Sequence, residues 1–433
     1  LAYHADGGAA LPDLWMKRRT FLLGLSAATV SALSLAGYRY WPETGLTNPC
    51  LSGLPEALRQ HPLYREIWQN LDPAQVWDGH VHMFGNGDSG LPDAPWHSPK
   101  MDSLYHPLLR VQKHLFMNGA CVDAHSSNVQ SADASAIDRS VVARLSQLCR
   151  EMPPGFKAML LAFDWWHDEQ GRPQPDNSVL HVPDSYVARL ARAEPDIFEW
   201  IASIHPYRPD AIDALQQAHA EGAKAIKWLP QVMNIDPASV KCQRFYQACV
   251  DLNLPIITHG GREFALPGSE HTLANPLRLR RALDNGVRIA VAHCATYGKD
   301  ADLDIGPHGP PRPHFELFTR LMDDARYEKL LFGDLSSLTL RNHAWALAPL
   351  LQRVDWHQRL LNGSDYPLPG VMPFIDCTSL QRQGLLDADA VEFLQAIKPY
   401  NALLFDFAIK RLVRHGNIRF ADSMFHTRRF FES

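Results

Sequence analysis

The chain has 433 residues, 46% of them hydrophobic and 21% charged, with a formal net charge of −5 at pH 7. That is an ordinary globular composition, long enough for one large domain or two smaller ones, and it lacks the basic surplus that nucleic-acid binding needs. The 21 histidines are the notable excess, because histidine is the commonest metal-ligating side chain. Seven cysteines are scattered without a CxxC pair or regular spacing, so neither a disulfide scaffold nor a cysteine zinc site is expected and most read as buried thiols.

Residues 16–40 read as an address. Arg18 and Arg19 precede an uncharged apolar run from Phe21 to Gly37, and small residues at Ser34-Leu35-Ala36 offer a cleavage site. The pattern resembles a twin-arginine export signal and is short for a permanent membrane span. It implies a periplasmic protein or one held on the outer face of the cytoplasmic membrane, with an uncleaved anchor as the alternative and the only membrane contact expected. Residues 1–15 read as an upstream extension. Residues 41–75, with five prolines, read as a lead-in with helical pieces over 56–71. The folded domain is expected from about Val76.

From there, short apolar runs alternate with amphipathic segments, as in repeated βα units. Eight runs stand out, at 76–82, 156–163, 198–205, 223–229, 255–259, 288–293, 330–335 and 360–365. Between them, 209–222 and 239–252 have helical periodicity. Eight strands suit a closed (β/α)8 barrel better than a doubly wound sheet, which would carry a glycine-rich loop after its first strand. The long first connection contains predicted helices at 106–120 and 136–150 and is expected to cover the barrel mouth. Segments 387–397 and 401–413 read as closing helices.

Polar residues interrupt these runs mainly at their C-terminal ends, where barrel enzymes hold their active sites. His80 and His82 are spaced so that one strand points both to the same side. His259 ends the fifth run, His293 the sixth and Asp365 the eighth. Lys227 sits inside the fourth among apolar residues, where a charge is costly unless paired or modified. Satisfied core histidines and one snorkelling lysine would have to produce the same strand-end placement repeatedly, so a single cluster is the simpler reading.

The ordered set Asp78-Gly79-His80-Val81-His82, Lys227, His259, His293 and Asp365 resembles the amidohydrolase superfamily. It is closest to the amidohydrolase-related branch that includes aminocarboxymuconate semialdehyde decarboxylase-like enzymes. The resemblance spans residues 76–413 and implies a distorted (β/α)8 TIM barrel. It also implies a divalent metal, most often zinc, on His80, His82, His259 and Asp365. In two-metal members a carboxylated lysine bridges the ions, a place Lys227 could take, and His293 would then be a ligand. In one-metal relatives the equivalent of His293 polarises the substrate, and one metal is the favoured reading.

The expected chemistry is metal-assisted hydrolysis of an ester, lactone or amide-type bond in a small molecule, with Asp365 moving the proton and His293 stabilising the oxyanion. Arg262, just past His259, is a candidate for a substrate carboxylate. Trp228 and the run Trp165-Trp166-His167 are candidates for an aromatic wall, with packing as the alternative. Asp334 is a candidate to orient His293 or a loop. The rival readings are a metal-dependent decarboxylase and a decayed barrel that only binds ligand. A homo-oligomer is allowed.

Overall fold

The structure, a computed structural model, describes residues 47–122, 137–262, 266 and 270–432. The twin-arginine-like segment and the extension before it lie outside the described residues. Eight strands form the frame: β1 (Trp77–His82), β2 (Lys157–Leu161), β3 (Phe198–Ile201), β4 (Ile226–Trp228), β5 (Ile256–His259), β6 (Ile289–Ala292), β7 (Leu331–Asp334) and β8 (Leu360–Leu361). Neighbours pair in parallel through β1–β2–β3 and through β4–β5–β6–β7–β8. Two parallel bridges, Ala202 with Ile226 and Val81 with Tyr366, join these sheets at both seams and close the barrel. Lys227 N–H donates to Ala202 O at 2.7 Å across one seam, and His82 N–H to Tyr366 O at 3.0 Å across the other. All eight strands fall within the apolar runs predicted from sequence.

Helices α1 (Pro107–Gly119) and α2 (Ile137–Arg150) lie in the connection from β1 to β2. Helices α3 (Asp184–Ala193), α4 (Ala211–Ala220), α5 (Gln243–Asp251) and α6 (His314–Met322) lie between later strands, and α7 (Ala388–Ile397) and α8 (Ala402–Leu412) follow β8. Helix α8 is N-capped by Asn401, whose side chain accepts from Leu404 N–H at 3.0 Å. Its Lys410, fully buried, pairs with Asp406 and donates to Gly363 O, so a helix outside the barrel fixes the end of β8.

Strand alternation separates two cores. Inside the barrel, Met159, Leu161, Ile201, Ala225, Ile257, Ala290 and Leu361 pack together, and Trp77, Phe430 and Phe431 join them. Outside, Ala158, Leu160, Ile226, Ile256, Ile289 and Leu360 belong to the larger shell shared with the helices. Phe430 and Phe431 come from the last short helix, Arg428–Phe431, which packs on the interior core.

The compact body runs from Leu46 and takes in the lead-in as well as the barrel. Ile67 is fully buried, and its carbonyl accepts from Arg411 Nε at 2.8 Å. One cysteine expectation is corrected here: Cys50 and Cys121 form a disulfide, joining the lead-in to the end of α1. Their separation of 71 positions leaves no local spacing to read. The other five cysteines are buried thiols, as expected.

Candidate metal centre

The inward face of the barrel is apolar at the floor and turns polar two residues further along on β4, β5 and β7. Ala225 is followed on that face by Lys227, Ile257 by His259, and Phe332 by Asp334. On β1 the alternation is reset. The register shifts by one residue between Asp78 and Val81, an extra residue that lets Trp77 point into the floor and still turns His80 and His82 inward above it. Gly363 allows β8 to close on this bulge: a Cβ there would sit 2.7 Å from Asp334 Oδ1 and 2.8 Å from His80 Cβ. Asp78 fastens the same seam, accepting from Ser364 N–H at 2.8 Å and His80 N–H at 3.2 Å.

The donor atoms of His80, His82 and Asp365 all lie within 4.8 Å of one another. His80 Nε2 is 3.2 Å from His82 Nε2 and 3.5 Å from Asp365 Oδ1, which is 3.1 Å from His82 Nε2. Asp334 Oδ2 lies 2.6 Å from His80 Nδ1. A carboxylate only accepts, so the proton sits on Nδ1 and the Nε2 lone pair faces the cavity. His293 is set the same way, its Nδ1 donating to Ser336 O at 2.8 Å and its Nε2 3.8 Å from Asp365 Oδ2. Ser336 Oγ also donates to Asp334 Oδ2 at 2.7 Å, so Asp334 reaches both histidines. Lys227 Nζ lies 2.9 Å from His80 Nε2, and the His259 ring stands edge-on to His293 with centroids 5.0 Å apart.

Burial, with the charge of Lys227 second, pushes His80 down to about 3, and burial and then His293 hold His259 well below its ordinary value. Both are neutral, the form that ligates metal. Burial would raise Asp365, but the facing His293 and His80 rings overcome it and hold the carboxyl well below the usual range. Burial would also raise Asp334, yet the adjoining His80 ring and its Nδ1–H hydrogen bond carry it down to about 2. Neutral imidazole nitrogens and an anionic carboxylate oxygen converging on one point are a donor set that fits a borderline divalent ion.

Three residues of the site hold left-handed backbone, His293 (φ 57°), Ser337 (φ 58°) and Asp365 (φ 62°). Such conformations are uncommon outside glycine and persist where surrounding structure fixes them, as at functional sites. Ser337 Oγ–H donates to Asp365 Oδ2, tying two of them together.

These groups open into a cavity of about 490 Å³. Phe84, Phe116, Phe163 and Phe374 supply aromatic wall, and Lys113, Arg262 and Arg341 stand in its lining. The structure therefore brings His80, His82, Lys227, His259, Arg262, His293 and Asp365 to one cavity. Trp228 is a correction. Because Lys227 points into the barrel, Trp228 must point out, where it stacks on Phe245 and Tyr246 and donates to Ile204 O at 2.9 Å. The Trp165-Trp166-His167 run is also corrected as a wall. Trp165 stacks on His181 at 4.0 Å, His167 on His205 at 4.5 Å, and none of the three lines the cavity. Missed from sequence were Ser336, Ser337 and His343. The two serines stand just past Asp334, so the strand-end pattern could have found them, whereas His343 carries no such signal.

A family model described as Amidohydrolase matches residues 143–374, more than half of the chain. The chain belongs to the amidohydrolase family. The match takes in Lys227, His259, His293 and Asp365 of this amidohydrolase and begins after the β1 histidines. No curated protein matches it in sequence. Among solved structures it is similar to an uncharacterised TIM-barrel protein from Bordetella bronchiseptica (16% identity, 76% of this chain and 99% of that chain, TM-score 0.45). Two further similar structures are a probable 2-pyrone-4,6-dicarboxylic acid hydrolase from Acinetobacter baumannii (15%, 79% and 97%, 0.39) and 5-carboxyvanillate decarboxylase from Novosphingobium aromaticivorans (12%, 75% and 94%, 0.41). Likenesses this distant assign no reaction. The amidohydrolase is an enzyme of its superfamily, in which hydrolysis and decarboxylation both occur.

Proposed function

We propose that this amidohydrolase is a metal-dependent hydrolase that cleaves an ester, lactone or amide-type bond in a small anionic substrate. The observation that carries the reading is the convergence of His80 Nε2, His82 Nε2 and Asp365 Oδ1 at one point inside a largely apolar cavity. His80, His82 and Asp365 would hold one divalent ion, zinc by preference, with His259, His293 and Lys227 beside it. Such an ion supplies Lewis-acid polarisation and makes hydroxide available near neutral pH.

The chain's own groups do the rest. Asp365, ionised across the working range and held by Ser337, accepts the proton at Oδ2 and passes it to the leaving group. His293, fixed by Ser336, presents Nε2 beside that oxygen and orients the reacting group. Arg262 meets an anionic substrate, with Lys113 and Arg341, paired to Asp102 and Asp376, beside it, since Asp365 alone among the described lining residues is a carboxylate. Aromatic side chains exclude water around it.

The same cationic lining favours one second reading, release of carbon dioxide from a carboxylated substrate. Turnover by the metal-loaded protein in ¹⁸O-labelled water separates them. Label in the product supports hydrolysis. Carbon dioxide release with no label incorporated overturns it in favour of decarboxylation. The export address is part of the proposal, and the Cys50–Cys121 disulfide supports it, because such bonds persist in oxidising compartments.

A further inference from the structure

The segment before α1 and the outer face of that helix carry a patch that the chemistry of the site leaves unused. Among the described residues ten large apolar side chains are exposed, and four of them fall in one short stretch. They are Leu104 (76% exposed), Tyr105 (93%), Leu108 (79%) and Val111 (55%). Leu108 and Val111 are three positions apart in the helix and so share a face. None of the four lines the cavity, whose wall receives Gln112, Leu115 and Phe116 from the other side of the same helix. Exposed apolar clusters of this kind mark interaction surfaces.

Charge selects the occupant. Lys100 and Arg110 are the basic residues of this stretch outside the cavity, with His106 and His114 among them, and the one acid, Asp102, is paired with His97 and with Lys113, which lines the cavity. A helix with an apolar outer stripe and basic neighbours suits an anionic lipid surface, where leucine and tyrosine enter the interface and basic groups meet phosphate. The start of the described chain is tied to the same helix. Asn48 N–H donates to Asn118 Oδ1 at 3.0 Å, and Cys50 is bonded to Cys121. Only ten residues, 38–47, separate Asn48 from the apolar run that ends at Gly37. On the uncleaved-anchor reading, ten residues span at most about 35 Å, which bounds the reach of the chain from that anchor to Asn48.

We propose that the outward face formed by Leu104, Tyr105, Leu108 and Val111 docks on an anionic phospholipid bilayer. The test places an environment-sensitive fluorophore at Leu104→Cys in the full chain. Vesicles of phosphatidylglycerol and phosphatidylethanolamine are added, some carrying an acyl-chain quencher. A blue shift and quenching are expected with these vesicles and weakly with phosphatidylcholine. Leu108→Asp/Val111→Asp should weaken the response of the label roughly tenfold, even where the protein still sediments through its N-terminal run. Leu108→Ala/Val111→Ala should give a smaller loss in the same direction.

Three results overturn the proposal. The label could stay in water at every lipid composition. It could shift with protein concentration and without vesicles, which assigns the face to a second copy. It could be blue-shifted before lipid is added, which assigns it to the chain itself.

Discussion

The carboxylate of Asp334 sits 2.6 Å from Nδ1 of His80, on the far side of the imidazole from the cavity. Asp334 comes from β7 and His80 from β1, strands with β8 between them, so the barrel closure itself presents His80 Nε2 as a lone pair. Groups that orient a ligating histidine in this way set its basicity as well as its direction.

Asp334→Asn should therefore keep the fold and lower metal affinity roughly 10- to 100-fold. Competition with a chelating dye measures it directly. Unchanged affinity in a folded variant would detach Asp334 from the metal centre.

Replacing Asp365 by Asn removes the only carboxylate among the described cavity-lining residues while preserving volume. Turnover should fall on the order of a thousandfold. The melting temperature should change little, and wild-type turnover in a metal-loaded sample would exclude Asp365 as the proton carrier.

Trp228 and Arg262 should separate stability from recognition. Trp228 is 1% exposed and packed in the helix layer, so Trp228→Ala should cost about 3–5 kcal/mol in denaturant unfolding. Arg262 is exposed at the cavity, so Arg262→Ala should leave stability within about 0.5 kcal/mol. With an anionic substrate it should raise KM. A stable Trp228→Ala protein with weakened substrate binding would reverse the assignment of these two residues.

Lys398 gives a separate pH signature. It is buried and donates to Met372 O at 2.7 Å and Ile375 O at 3.3 Å, and burial lowers it from 10.5 to about 8. Between those values the unfolded chain holds a proton that the folded protein has released. Raising the pH from 8 toward 10.5 therefore adds stability through this group, and below about 8 its contribution is constant. Wild type should gain on the order of 2 kcal/mol relative to Lys398→Met across that window. Parallel urea midpoints at pH 8 and pH 10 for the two proteins measure the difference.

Much of this site is legible in the sequence because a parallel barrel buries its strands on both faces, so polar residues at strand ends stand out against apolar runs. His80, His82, Lys227, His259, His293 and Asp365 were found that way. Orientation was harder to read. An inward Lys227 already requires an outward Trp228, but the bulge on β1, which sets the direction of His80 and His82, leaves no mark in composition or periodicity. The disulfide and the place of His343 in the cavity lining beside His293 depend on chain segments that meet only in three dimensions.

The aromatic pair at 430–431 has a consequence for how the protein is made. Trp77 N–H donates to Thr427 Oγ1, a contact that spans 350 positions, and Phe431 stacks on Trp77 beneath the barrel interior. A nascent chain has β1 in hand roughly 20–70 s before these residues leave the ribosome. Until then the hollow of the half-built cylinder has no base, and water or a chaperone must stand in for phenylalanine.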